Sequence, residues 1–94
     1  MIAKIKDAKI HKAVIIDTEK TIFEAASIIK KEKVPTLLLK DKKGEMYIVT
    51  DSDFRQKVIL NRMDFDDKVI KIASKGLIYV NEDDFLFNAQ LIMA

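Results

Sequence analysis

Three short apolar runs and the two unequal gaps between them constrain this chain most: Val14-Ile15-Ile16, Thr36-Leu37-Leu38-Leu39 and Met46-Tyr47-Ile48-Val49. Each run has strand length, and each is bounded by polar residues or turn formers. The first gap holds a helix. Thr21-x-x-Glu24 is a capping-box pattern, and Ile22, Ala25, Ala26 and Ile29 follow at i, i+3, i+4 and i+7. The helix is predicted to run to about Lys31 and to stop before Val34-Pro35, because the residue preceding proline avoids helical geometry. The second gap, Asp41-Lys42-Lys43-Gly44, is a hairpin turn with Gly44 in the left-handed position. After the third run a second helix is predicted over Ser52–Asn61, with an apolar face of Phe54, Val58, Ile59 and Met63. The order is strand, helix, strand, strand, helix: an α+β unit with a three-stranded sheet packed by two helices.

The totals agree with one small domain. Of 94 residues 49% are hydrophobic and 34% charged, a globular balance rather than a disordered one. The chain has no cysteine, which excludes disulfides, zinc–thiolate sites and a cysteine nucleophile. One histidine, His11 beside Lys12, cannot build a multi-histidine metal site and reads as solvated. The N-terminus shows no signal-peptide pattern and no apolar run is long enough to span a bilayer, so the protein is expected to be cytoplasmic, without a membrane partner. Residues 1–43 carry a charge of +5 and residues 44–94 a charge of −3. The lysines of the basic half are dispersed and lack interleaved exposed aromatics, so a solvated face is expected and not a nucleic-acid surface.

The chain also repeats itself. At an offset of 64 residues Val14-Ile15-Ile16-Asp17 falls on Ile78-Tyr79-Val80-Asn81, and Ile22-Phe23-Glu24-Ala25 on Leu86-Phe87-Asn88-Ala89. Ile28-Ile29 falls on Ile92-Met93, and the lead-in residues Ile5 and Ala8 fall on Val69 and Ile72. Matched apolar positions at one fixed offset imply an internal duplication. A first repeat over 1–62 with its lead-in is expected, then a linker and the start of a second repeat over 63–94. That second copy is predicted to comprise a strand followed by a helix whose apolar stripe is Leu86, Ala89 and Met93. Its cover would come from a longer chain, of which this is expected to be a piece, or from a second copy in a homodimer.

The chemistry-bearing stretch is Tyr47-Ile48-Val49-Thr50-Asp51-Ser52-Asp53-Phe54. Backbone N–H groups at a helix start attract anions, and a carboxylate one turn in can accept both hydroxyls of a ribose. Thr50-x-x-Asp53 is equally the pattern of a capping box, and one threonine can serve both roles. Asp51-x-Asp53 together with Asp64, Asp66 and Asp67 would suit a divalent cation. No glycine-rich lysine loop, nucleophile–base pair or general-base histidine accompanies them, so these acids read as helix-terminus and linker charge. No catalytic residue and no metal ligand is assigned, and the chain is read as not an enzyme.

Order, spacing and partial duplication together resemble a CBS domain, the module named for cystathionine β-synthase that occurs in tandem pairs. The resemblance covers 5–62 as a full unit and 69–94 as the start of another. It rests on Ile5-Lys6-Asp7, Thr21-Ile22-Phe23-Glu24-Ala25-Ala26, Val34-Pro35-Thr36-Leu37-Leu38-Leu39 and Ile48-Val49-Thr50-Asp51-Ser52-Asp53. The stretch Val49 to Arg55, with Asp64 to Val69 following, is also similar to CBS pairs of bacterial nucleotidyltransferase-type signalling proteins. The resemblance implies a regulatory module of signal transduction. Such a module binds an adenine nucleotide (AMP, ADP, ATP or S-adenosylmethionine) between repeats and transmits its presence to attached effector domains. It implies no required cofactor. Asp53 would hold the ribose hydroxyls, Thr50 would orient ribose or phosphate, and Arg55 would meet a phosphate. The backbone of Lys12-Ala13-Val14 and of Gly76, Leu77 and Ile78 would sandwich the base. Tyr47 departs from the family, which often has glycine three residues before the threonine, and its ring is expected to compete for ligand space. The alternative is a ligand-free dimerisation module of a larger protein.

Overall fold

The computed structural model describes residues 11–12, 14–81 and 86–91, with His11 and the residues from 76 onward described by backbone alone. The lead-in residues Ile5 to Ala8, Ala13 and the pair Ile92-Met93 lie outside the described residues. The elements in chain order are β1 (His11–Lys12), β2 (Ile15–Asp17), α1 (Ile22–Glu32), β3 (Thr36–Lys40), β4 (Met46–Thr50) and α2 (Asp51–Asp53). A π-helical segment, Phe54–Ile59, continues α2; a 3₁₀ turn, Val69–Ile72, leads to β5 (Ser74–Asn81), and β6 (Leu86–Leu91) follows.

α1 forms where the capping box places it. The Thr21 hydroxyl accepts the Glu24 N–H at 3.1 Å, and the Glu24 carboxylate accepts the Thr21 N–H at 3.0 Å. The next free donors of the helix find carbonyls in the segment after the second helix: Ile22 N–H donates to Asp67 O at 2.9 Å and Phe23 N–H to Phe65 O at 3.0 Å. Lys33 ends the helix in the left-handed region (φ 54°, ψ 45°), and Val34 N–H reaches back to Ile29 O at 3.3 Å. The hairpin turn is as predicted, with Gly44 at φ 86°.

The strands form one sheet in the order β1-β6-β5-β4-β3-β2. β2 and β3 are parallel, joined over α1, and every other neighbouring pair is antiparallel. Register divides the strands into two faces. Leu37, Leu39, Val49, Ile16 and Tyr47 face the helices and pack with Ile22, Ala25, Val34, Val58, Val69 and Ile72. Leu38 pairs with Ile48 on the opposite face, and both are buried, as is Thr36 opposite Thr50.

The α+β unit is as expected, and two expectations about its parts are corrected. The helix predicted over Leu86–Met93 is instead the strand β6, Leu86–Leu91, in register with β5 from Gly76↔Leu91 to Asn81↔Leu86. Spacing of Leu86 and Ala89 suits a helix, yet so short a helix is marginal, whereas pairing with β5 along its whole length, and with β1 at Leu86 and Phe87, engages its backbone in the sheet. The sheet therefore exceeds the predicted three strands. The second correction concerns the second helix. It begins at Asp51, its last six residues follow the π pattern, and Ile59, expected on the apolar face, is 64% exposed. Phe54 and Val58 of this segment, and Met63 just beyond it, pack on the core, while Ile59 points outward. Arg62 (φ 53°) closes this helix, with Arg62 N–H to Ile59 O at 3.2 Å and Met63 N–H to Val58 O at 3.0 Å.

Candidate functional site

β4 delivers Thr50 to one end of the sheet, and α2 places Asp53 one turn later. Thr50 is the N-cap (φ −120°, ψ 167°). Oδ2 of Asp53 accepts the Thr50 N–H at 2.9 Å and the Thr50 hydroxyl at 3.3 Å. Its other oxygen, Oδ1, faces the ammonium of Lys57 at 3.1 Å, one helical turn further on. The Asp53 side chain is 16% exposed, so the carboxylate is held against the corner and not on a free arm. An ionised carboxylate offers about four lone-pair positions, and three are taken here. Among the described residues nothing occupies the fourth, on Oδ1. The long Thr50 hydroxyl contact is the one a competing hydroxyl displaces most easily. The corner can thus cap its own helix and still accept a vicinal diol.

The neighbours of this corner are polar or small at the edge and apolar beneath. Thr36 pairs directly with Thr50 across the sheet and is buried. Asp51 N–H donates to Pro35 O at 3.1 Å, which draws the helix start against the beginning of β3. Because β2 runs parallel to β3, the chain just before Ile15 lies at this same end, with Val14 O accepting Leu38 N–H at 2.9 Å. Val14, from the segment expected to flank a base, lies at the same end of the sheet as Thr50, with its side chain packed on the core. Gly76, Leu77 and Ile78 do not. β5 meets β4 at Ile48↔Ser74 and Tyr47↔Lys75, so the chain beyond Lys75 moves away from Thr50. Arg55 is exposed on the second helix and has no ion-pair partner among the described residues.

Tyr47 takes up no space at Thr50. Odd and even positions of β4 face opposite sides, and the Tyr47 ring lies on the helix-covered face with Val49. Its hydroxyl donates toward Glu45 Oε2 at 3.1 Å and Asp41 Oδ2 at 3.4 Å, at the far end of the strand. Desolvation first, and then the hydrogen bond to Glu45, hold the phenol above its ordinary pKa. Lys75 lies over the ring, 5.6 Å from its centre, and its pKa is raised by its contact with Glu45.

An open groove of about 460 Å³ adjoins Tyr47 and is lined by Asp17, Thr18, Glu19, Asp41 and Glu45 among others. It lies at the opposite end of the sheet from Thr50 and includes none of the predicted site residues. Two of its acids are engaged in turns: Asp17 accepts Glu19 N–H at 2.7 Å, and Asp41 accepts Lys43 and Glu45 N–H at 2.9 Å each. Of the other aspartates, Asp64 accepts Asp66 N–H at 2.9 Å and Asp67 pairs with Lys71 at 3.4 Å. Among the described residues no three acidic or imidazole groups converge on a metal position, and no helix is long and apolar enough to cross a membrane.

Two residues of the corner were not singled out in the sequence. Lys57 was legible as an i,i+4 partner of Asp53. Thr36 opens an otherwise apolar run, and a polar residue there hinted that this end of the strand meets something polar.

The fold has counterparts among known structures. No protein-family model and no curated protein matches the chain. Solved structures do. A CBS domain protein of Pyrobaculum aerophilum complexed with AMP superposes with a TM-score of 0.63 at 22% identity, over 70% of this chain and 52% of that one. An uncharacterised conserved protein of Pyrococcus horikoshii gives 0.66 at 24% identity, over 76% of this chain and 55% of that one. A CBS-domain-containing protein of Agrobacterium tumefaciens gives 0.63 at 20% identity, over 73% and 57%. The chain spans about half the length of these structures.

Proposed function

We propose that this chain, which carries the fold of a CBS domain, is a regulatory module that holds an adenine nucleotide at the Thr50–Asp53 corner. The observation that carries the reading is the carboxylate of Asp53, fixed by Thr50 and Lys57 with one acceptor position unfilled among the described residues, at the strand end where Thr36 is buried opposite Thr50. A protein of the same fold is complexed with AMP, which supplies the ligand class. Asp53 accepts the ribose hydroxyls, Thr50 turns its hydroxyl to ribose or phosphate, and Arg55 meets phosphate from the exposed side of the helix. By the 64-residue offset Gly76, Leu77 and Ile78 correspond to Lys12-Ala13-Val14 and serve a second repeat's site in the same way. The module catalyses nothing itself; attached domains read its occupancy.

Calorimetric titration with AMP tests this reading. Asp53→Asn keeps an oxygen for the Thr50 N–H and removes the charge, and it should weaken binding by about 1–3 kcal/mol, the worth of hydrogen bonds to a charged group. Equal affinity of wild type and variant would remove Asp53 from the site.

A second reading, self-assembly, has its own observation. Phe23, Ile59, Leu60 and Phe65, all on or beside the helices, are 63%, 64%, 74% and 58% exposed.

A further inference from the structure

The ammonium of Lys57 does more than neutralise Asp53. Besides its 3.1 Å contact with Asp53 Oδ1 it donates to the carbonyl of Ile72 at 3.0 Å, fifteen residues away in sequence. Ile72 is fully buried and ends the 3₁₀ turn Val69–Ile72. Ala73 follows, its N–H bonded to Ile70 O at 3.2 Å, and Ser74 then opens β5 opposite Ile48. One side chain therefore spans two structures that share no other polar contact of this kind among the described residues: the carboxylate of the candidate site and the point where the linker becomes a strand.

We infer that Lys57 is a positioning residue that couples the nucleotide corner to the start of β5. The inference rests on the reading of Asp53 as the ribose-binding group. In the free protein Lys57 holds the Asp53 rotamer, so the carboxylate is oriented before ligand arrives. A ligand that binds only this oriented carboxylate stabilises the whole arrangement by mass action, including the bond to Ile72 O. Occupancy of the corner thus tightens the Val69–Ser74 backbone, from which the chain passes on toward the second half. Both partners of Lys57 are needed: an ion pair alone would orient Asp53 without reporting it, and a carbonyl contact alone would brace the turn without sensing ligand. A lysine suits both tasks because its three N–H donors diverge from one nitrogen.

The experiment is hydrogen exchange of peptides covering 69–75, with and without saturating AMP, beside calorimetric AMP affinities for wild type, Lys57→Met and Lys57→Arg. Lys57 is 41% exposed, so methionine retains the stem without burying a charge. In wild type AMP should slow exchange across 69–75. In Lys57→Met affinity should fall by about two- to fivefold, the range of an exposed ion pair, and AMP should no longer slow exchange there. Lys57→Arg should restore at least part of the response. If AMP slows 69–75 equally in Lys57→Met, Lys57 is only a brace and the coupling is overturned, while the nucleotide site stands. If wild type shows no AMP binding, the reading of the site fails and the coupling with it. A Lys57→Met chain that did not fold would leave Lys57→Arg to decide: AMP-slowed exchange across 69–75 at retained affinity would support the coupling, and retained affinity without that slowing would overturn it.

Discussion

Glu24 and Asp53 occupy the same position, three residues after a threonine N-cap, and differ in what else they touch. Glu24 is exposed, and its partners are Thr21 and the neighbouring Lys20 at 3.9 Å. The backbone hydrogen bond from Thr21, and then the Thr21 side chain, hold its carboxyl below the ordinary glutamate value. A carboxylate lowered in the folded state adds stability above its unfolded pKa, near 4.3, and that stability is lost as pH falls through the folded value. Chemical denaturation of wild type and Glu24→Gln should therefore differ at neutral pH, and the two curves should converge as the pH is taken below the usual glutamate range. A difference independent of pH would mean that the amide is a poorer cap for steric reasons alone. Thr21→Ala, which removes the other half of the box, should cost about 1 kcal/mol at neutral pH. Asp53 has a shorter side chain and a different set of partners: Thr50 through both backbone and hydroxyl, and Lys57. It is this second use that makes Asp53 a candidate ligand group and leaves Glu24 a cap.

Both helices close on a basic residue with positive φ, Lys33 at 54° and Arg62 at 53°, where glycine is the usual choice. A β-carbon in the left-handed region is strained, and the charge at a helix C-terminus offsets part of that strain. Lys33→Gly should raise stability by about 0.5–1 kcal/mol, a melting-temperature increase of roughly 2–8 °C for a domain of this size. A lower melting temperature would show that the lysine's interaction with the last carbonyls outweighs the backbone strain. α1, its cap, the hairpin at Gly44 and the strands β2 to β4 each carry a local signal: a capping box, a proline stop, a turn glycine, a run of β-formers. The stretch Leu86–Leu91 carries none that decides, because its apolar spacing fits a helix and its choice of strand depends on tertiary pairing with β5 and, at Leu86 and Phe87, with the distant β1. The outward side of Ile59 is likewise a matter of how Phe54, Val58 and Met63 seat on the core, and apolarity alone does not tell Ile59 from its neighbours. At the site, Thr50 and Asp53 were legible as a spaced pair. The Ile72 carbonyl was not, since a backbone acceptor has no signature in sequence.

At the scale of the whole molecule the sheet has its helices on one face, and the outer side of those helices is not uniformly polar. Phe23 and Phe65 lie together where α1 begins, linked by the 3.0 Å bond from Phe23 N–H to Phe65 O. Ile59 and Leu60 stand at the end of the second helix. None of the four is needed to close the core, which is already formed by fully buried Leu37, Leu39, Val49, Val69 and Ile72. Large side chains left this exposed are a cost to solubility unless a partner covers them, and covering one fully is worth about 1.5–3 kcal/mol. If a second copy is that partner, sedimentation equilibrium of the wild type should give a dimer mass. Phe23→Glu with Leu60→Glu should then weaken association about a hundredfold or more, because two apolar contacts are lost and two like charges are brought to the interface. The far-ultraviolet circular dichroism of the variant should stay unchanged, since both residues point away from the core. A dimer that survives both charges would place the contact elsewhere on the molecule, and a wild type that is monomeric at every concentration would withdraw the assembly reading. AMP titration on the charged variant separates the two functions: a corner built within one chain binds with undiminished affinity in the monomer, whereas a corner that needs a second copy loses ligand and partner together.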